Sequence, residues 1–128
     1  EEAVKLVERQ ANIKELLSHL KKYGPEIVVI TDGPRGSYAY DGRDFYHMGI
    51  LPIKLVEATG AGDAYATGFI AAIWRGRSMA EAMRWGSANS ASVVTKIGPQ
   101  DGLLHVGEMK KMLKRFSGHK PEKINGDA

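Results

Sequence analysis

The chain has no cysteine among its 128 residues, which removes disulfide frameworks and thiolate chemistry together. It has no apolar run long enough to cross a bilayer, and the stretch from Glu1 does not read as a secretory leader. Its four histidines, His19, His47, His105 and His119, are scattered, without the spacing of metal ligands. There is no internal repeat and no low-complexity segment. The basic excess is small, a net charge of +3, and much of it lies between Lys110 and Lys123. That stretch reads as a solvated helix face followed by a frayed end. A nucleic-acid surface would interleave aromatics with its basic residues, and only Phe116 is there. With 43% hydrophobic and 26% charged residues, the rest is ordinary for one modest globular core. The composition points to a cytoplasmic protein with neither a nucleic-acid nor a membrane partner.

Periodicity divides the chain into short elements. Ala3 to Tyr23 has the apolar spacing of an amphipathic helix, stopped by Gly24-Pro25. Ile27 to Ile30 is a β-branched run, expected as a strand buried on both faces with parallel neighbours. Ser37 to Tyr40 and Asp44 to Met48 flank Asp41-Gly42-Arg43 as a hairpin, and Ile50 to Val56 is expected as a further strand. Gly62 to Trp74 is helical, with Tyr65, Phe69, Ile70 and Ile73 expected on one face. Ser78 and Glu81 form a capping box for a helix from Met79 to about Thr95. A loop over Gly98 to Gly102 and a helix from Val106 to Phe116 follow. The order predicts an α/β layered domain. Few strands are available for a parallel sheet, so the chain reads as part of a larger one.

The chemistry concentrates in Val56-Glu57-Ala58-Thr59-Gly60-Ala61-Gly62-Asp63. Glycines allow close backbone approach, and the first amides of a helix are unpaired and backed by its dipole. Such a start binds phosphate or another oxyanion. It is not a Walker loop, because Asp63 stands where Lys-Ser/Thr would be. Nor is it a dinucleotide fingerprint, because the third small position falls at Tyr65. A carboxylate beside an anion hole repels a resting phosphate, but it can take the proton of a hydroxyl attacking that phosphate. That layout suits phosphoryl transfer to an alcohol. The plain alternative is that Asp63 caps the helix.

Ala58-Thr59-Gly60-Ala61-Gly62-Asp63-Ala64 resembles the C-terminal signature of the ribokinase (PfkB) family of sugar and nucleoside kinases. Val28 to Gly36 resembles the family's strand followed by Thr-x-Gly-x-x-Gly, and Ala88-Asn89-Ser90-Ala91 its helix beside the nucleotide. Lys96-Ile97-Gly98-Pro99 resembles the loop that follows. The resemblance implies that this chain is the C-terminal, nucleotide-side part of a ribokinase-like three-layer α/β/α fold. It implies Asp63 as the base and the amides of Gly60, Ala61 and Gly62 as the anion hole. It implies Thr31, Gly33 and Gly36 at the phosphates and ribose of ATP, and Asn89 by the adenine.

Magnesium is implied with the nucleotide. A monovalent cation near Glu57, Thr59 and Gly98 is implied less directly, since Glu57 stands where the family most often has Asp. The implied acceptor is a sugar or nucleoside, bound by an N-terminal half that residues 1–128 do not include. The chain alone is then expected to be inactive and to self-associate, as a homo-oligomer. The rival reading is a nucleotide-binding module without catalysis.

Overall fold

The computed structural model describes residues 2–52, 60–94 and 106–124. The first helix, α1 (Glu2–Lys21), ends in a turn in which Gly24 takes φ 111°. The chain then enters a four-stranded sheet, β1 (Val28–Thr31), β2 (Ser37–Tyr40), β3 (Phe45–Met48) and β4 (Glu122–Lys123), ordered as numbered and antiparallel throughout. Three further helices are α2 (Ala61–Trp74), α3 (Met79–Val94) and α4 (Val106–Arg115).

Side-chain alternation explains why helices cover both faces of so small a sheet. Val28, Ile30, Tyr38, Tyr40 and Phe45 face one way and pack with Ile13 and Leu17 of α1. Val29, Ala39, Tyr46 and Met48 face the other way and join the core built by α2, α3 and α4. The result is three layers, helix, sheet and helices, as the α/β reading expects. Ile27 to Ile30 is apolar throughout because it is covered twice: among the described residues its strand β1 pairs β2 alone, and antiparallel rather than parallel, in register Val28 with Tyr40. On its other side β1 is the sheet edge among the described residues.

The β2–β3 turn is held by Asp41, whose Oδ1 accepts the amides of Arg43 and Asp44 at 2.9 and 2.8 Å. Partial burial raises the Asp41 carboxyl, but the amides of Asp44 and Arg43 outweigh it and hold the group below its ordinary value of 3.8. Beyond the hairpin, Gly49 to Pro52 is not strand, and the remainder of the strand expected over Ile50 to Val56 lies outside the described residues. So does the Gly98 to Gly102 loop.

The C-terminal stretch departs from expectation at its end. Lys110, Lys111, Lys114 and Arg115 do lie on the exposed side of α4, while Met109 and Phe116 are buried. Beyond them, however, Glu122 and Lys123 pair with His47 and Tyr46 of β3. The amide of Ile124 donates to Phe45 O at 2.9 Å. Ile124 packs in the α1-side core, which is what draws an otherwise polar tail onto the sheet.

Among the described elements the helix pair α2–α3 packs most extensively. It rests on two glycines. A Cβ at Gly68 would lie 2.7 Å from the carbonyl oxygen of Trp85, and one at Gly86 would lie 3.0 Å from Tyr65. The buried face of α2 is therefore Ala64, Tyr65, Gly68, Phe69 and Ala72, with Ile70 exposed rather than beside Phe69. Helix α3 starts as the capping box predicts, Ser78 Oγ accepting the amide of Glu81 at 3.1 Å. Arg84 pairs with Glu81 at 3.1 Å and donates to Leu113 O at 2.8 Å, tying α3 to α4.

Gly68→Ala should cost about 1–3 kcal/mol, the usual penalty for overpacking. Gly36→Ala should cost more, since φ is 92° and its Cβ would fall 2.0 Å from Met48 O. Gly49→Ala, whose Cβ meets nothing within 4 Å, should leave the chemical-denaturation midpoint within error of the parent.

Candidate functional site

At the end of α2 nearest the β2–β3 hairpin, two distant stretches of sequence meet around one cavity of about 410 Å³. Thr31 lines it from the end of β1, Gly33 and Gly36 from the turn that follows, and Ala61 and Gly62 from the start of α2. Leu51, Tyr65, Ser87 and Ala91 contribute further walls. The volume falls within the range of small-molecule sites. The lining is mostly apolar, with hydroxyls supplied by Thr31, Ser37, Ser87 and Ser90.

The first of these stretches is folded tightly. Gly33–Arg35 form a single 3₁₀ turn with Pro34 in its first positions. Gly36 N donates to Gly33 O at 3.0 Å, and Asp32 N to Gly36 O at 2.7 Å. Gly33 and Gly36 both have positive φ, 52° and 92°, a region that favours glycine. Gly36 is needed twice over, because the Met48–Gly49 backbone passes directly against it. His47 Nε2 donates to Arg35 O at 2.7 Å and its ring lies 4.6 Å from that of Tyr38, so β3 holds the turn in place.

The second stretch starts at Gly60, left-handed at φ 85° and acting as the N-cap of α2. The first amide in the helical ladder is Ala64, donating to Gly60 O at 2.9 Å. Those of Ala61, Gly62 and Asp63 precede it, as at any helix start. A Cβ at Gly62 would meet nothing within 4 Å, so the space beside these amides is open. Asp63 is exposed in the first turn. Its carboxylate takes no hydrogen bond from a described residue, while its carbonyl oxygen accepts from Thr67 Oγ1 at 2.9 Å. The side chain is therefore not engaged as a cap among the described residues, and it does not line the cavity itself.

Two bonds fix this helix start. Tyr65 donates its hydroxyl to Ser37 Oγ at 2.8 Å, joining α2 to β2. Asn89 Nδ2 donates to Ala64 O at 2.7 Å, joining α3 to α2. Asn89 is fully buried and does not line the cavity; from α3 the cavity receives Ser87, Ser90 and Ala91. Thr31, Gly33, Gly36, Ala61 and Gly62 are thus brought together, with Gly60 and Asp63 beside them and Asn89 behind. Glu57, Thr59 and Gly98, expected near a monovalent cation, lie outside the described residues. Among the described residues no three His, Asp or Glu side chains converge as a metal cage. Sequence reasoning missed Ser37, Ser87 and the glycine pair of α2–α3. A hydroxyl buried by a long-range contact leaves no local pattern, whereas Gly68 and Gly86 inside helices were a readable sign of close packing.

Residues 1–105 match the pattern that defines the pfkB family carbohydrate kinases. The chain is 37% identical over 107 residues to 5-dehydro-2-deoxygluconokinase of Clostridium tetani, covering 82% of this chain and 31% of that protein. It resembles the Arabidopsis thaliana ribokinase solved with ribose and ATP at TM-score 0.71 and 27% identity, covering 80% of this chain and 33% of that one. It also resembles an Escherichia coli ribokinase-type protein in complex with ATP and Mg2+, at TM-score 0.69 and 26% identity, covering 83% and 33%. The chain spans about a third of the length of the relatives it matches. No described helix is long and apolar enough to cross a membrane.

The Tyr65–Ser37 bond gives the site a readable pH dependence. Burial pushes the Tyr65 phenol from 10.0 up to about 12, the Ser37 contact partly opposing it. The raised value means that the contribution is complete below the unfolded phenol's pKa of about 10 and is lost as pH rises toward 12. Between those limits the unfolded chain releases its proton first. Tyr65→Phe should lower stability at neutral pH by about 1 kcal/mol. It should also flatten the fall in melting temperature between about pH 10 and 12.

Proposed function

The chain belongs to the pfkB family of carbohydrate kinases, and we propose that it carries the phosphoryl-handling side of an ATP-dependent kinase acting on a sugar or nucleoside hydroxyl. The observation that supports this most is the shared cavity. The turn after β1 and the leading amides of α2, some thirty residues apart in sequence, line one space of about 410 Å³. Open room lies beside Gly62, and the Asp63 carboxylate is unengaged among the described residues.

In this reading Gly33 and Gly36 let the backbone after β1 lie along the nucleotide phosphates, with the Thr31 hydroxyl facing the same space. Ser90 of α3 offers a hydroxyl to the cavity, while that of Ser87, also in the lining, donates to Met48 Sδ at 3.4 Å. Asn89 serves the nucleotide indirectly, by holding Ala64 O and with it the helix start. The amides of Gly60, Ala61 and Gly62 face the transferred group and stabilise its charge as it passes. Asp63 accepts the proton of the acceptor hydroxyl while that oxygen forms its bond to the γ-phosphorus; the bond to the β-phosphate oxygen breaks, leaving ADP. Magnesium bound with ATP would offset the phosphate charge; a cage of protein ligands for it is not formed by the described residues. The acceptor-binding groups belong to the portion of the kinase outside these residues. Residues 1–128 alone are expected to show no acceptor-dependent ATP turnover.

Two substitutions test the reading in an enzyme that contains this chain together with its acceptor-binding portion. Asp63→Asn should lower kcat by roughly 100- to 10,000-fold, the usual size of a lost general base, with ATP affinity nearly unchanged by calorimetry. Near-normal turnover would reduce Asp63 to a surface residue of the first turn. Gly62→Val places its side chain in open space, so the melting temperature should hold while nucleotide-dependent turnover is lost. Full activity in that variant would move the anion hole elsewhere.

A further inference from the structure

Two hydroxyls meet in the cavity wall, and the bond between them uses one of their two protons. Tyr65 donates to Ser37 Oγ at 2.8 Å. Both residues line the cavity, and both are buried, Ser37 at 2% and Tyr65 at 6% exposure. The Ser37 proton has no acceptor among the described residues. The other hydroxyls of the lining are placed differently. Ser87 donates to Met48 Sδ at 3.4 Å, Thr31 is exposed and Ser90 is half-buried. A buried donor needs a partner. Tying the sheet to α2 takes one proton, and the pair carries two. Packing does not ask for the hydroxyl either, since Ala39, the next residue on the same face of β2, is fully buried without a polar side chain.

We infer that Ser37 donates its hydroxyl proton to an oxygen of the bound nucleotide, on a phosphate or on a ribose hydroxyl. This rests on the kinase reading above. Ser37 directly follows Gly36, the end of the turn that lies along the phosphates in that reading, and Tyr65 stands two residues after Asp63. The pair therefore sits where the two ligand-handling stretches meet. A serine hydroxyl rotates freely. With Tyr65 bonded to its oxygen, the Ser37 proton is turned away from the phenol. Burial pushes that phenol up to about 12, so Tyr65 keeps its proton and remains the donor at neutral pH. Accepting one hydrogen bond also strengthens a hydroxyl as the donor of the next.

The test is calorimetry with ADP on the enzyme that contains this chain together with its acceptor-binding portion, well below the melting transition of each variant. Ser37→Ala removes the donor. Tyr65→Phe removes the tie and leaves the Ser37 hydroxyl in place. Ser37→Ala should weaken ADP binding by roughly tenfold or more, and Tyr65→Phe by about threefold at most. Ser37→Cys, nearly isosteric but a weak donor, should follow Ser37→Ala, and it carries the test if the alanine variant does not fold. Deoxy analogues locate the oxygen. A Ser37→Ala loss that persists with both 2′-deoxy-ADP and 3′-deoxy-ADP places it on a phosphate; a loss that vanishes with one of them places it on that ribose hydroxyl.

Equal losses in Ser37→Ala and Tyr65→Phe overturn the inference, because both break the tie and the tie alone would then matter. Parent affinity in Ser37→Ala or Ser37→Cys overturns it as well. So does a larger loss in Tyr65→Phe than in Ser37→Ala, which would make the phenol the contact. In each of these outcomes ADP still binds and the kinase reading stands. A parent enzyme that binds no ADP would sink the kinase reading and the inference together.

Discussion

Everything around the cavity depends on how closely two helix backbones approach. Gly68 and Gly86 remove the side chains that would hold α2 and α3 apart, and the gap they leave is filled by the Tyr65 ring and by Asn89. With the helices this near, Asn89 can reach Ala64 O and Tyr65 can reach Ser37 across to the sheet. Those bonds set where the first turn of α2 points. The end of the helix proposed to hold the anion is thus placed by contacts one to two turns behind it. A methyl group at either glycine would act on the site without touching a ligand.

The glycines sort into two kinds by what surrounds them. Gly36, Gly68 and Gly86 are pressed against backbone or ring atoms, so the fold itself requires them. Gly33 and Gly62 face open space, and the fold makes no steric demand for a missing side chain there. Gly33 still has a positive φ to satisfy; Gly62 has not. Open room beside the leading amides of α2 is what the proposed close approach of a phosphate would need at Gly62.

Much of this was legible in the residues. Helices α1 to α4 and the hairpin follow from periodicity and caps, and Ser78 with Glu81 marks the α3 start to the residue. The Gly60–Asp63 turn and the Thr31–Gly36 turn are local patterns, so their presence could be read, although their meeting in one cavity is a tertiary fact. The direction of β1 could not be read, because a doubly covered strand looks the same whether its neighbour is parallel or antiparallel. The orientation of Ile70 was misjudged for a related reason: when a helix is apolar on all sides, hydropathy alone does not say which side meets α3. Likeness puts Asn89 near the base of a nucleotide, whereas the bond its side chain makes to Ala64 O is a tertiary contact that no local pattern announces. The β4 pairing was invisible because neither Glu122 nor Lys123 favours strands; only Ile124, finding the α1-side core, draws the tail in.

That last pairing makes the two margins of the sheet unequal. Glu122–Lys123 is two residues long, exposed and carries one charge of each sign. Short charged margins are a common protection against sheets joining end to end and growing into aggregates. The β3 side is blunted in this way, while the β1 side keeps a longer row of backbone donors and acceptors. Among the described residues the β1 margin is thus the less protected of the two. A lysine or proline introduced along β1, rather than changes to the already guarded tail, is where protein engineering would gain a well-behaved sample.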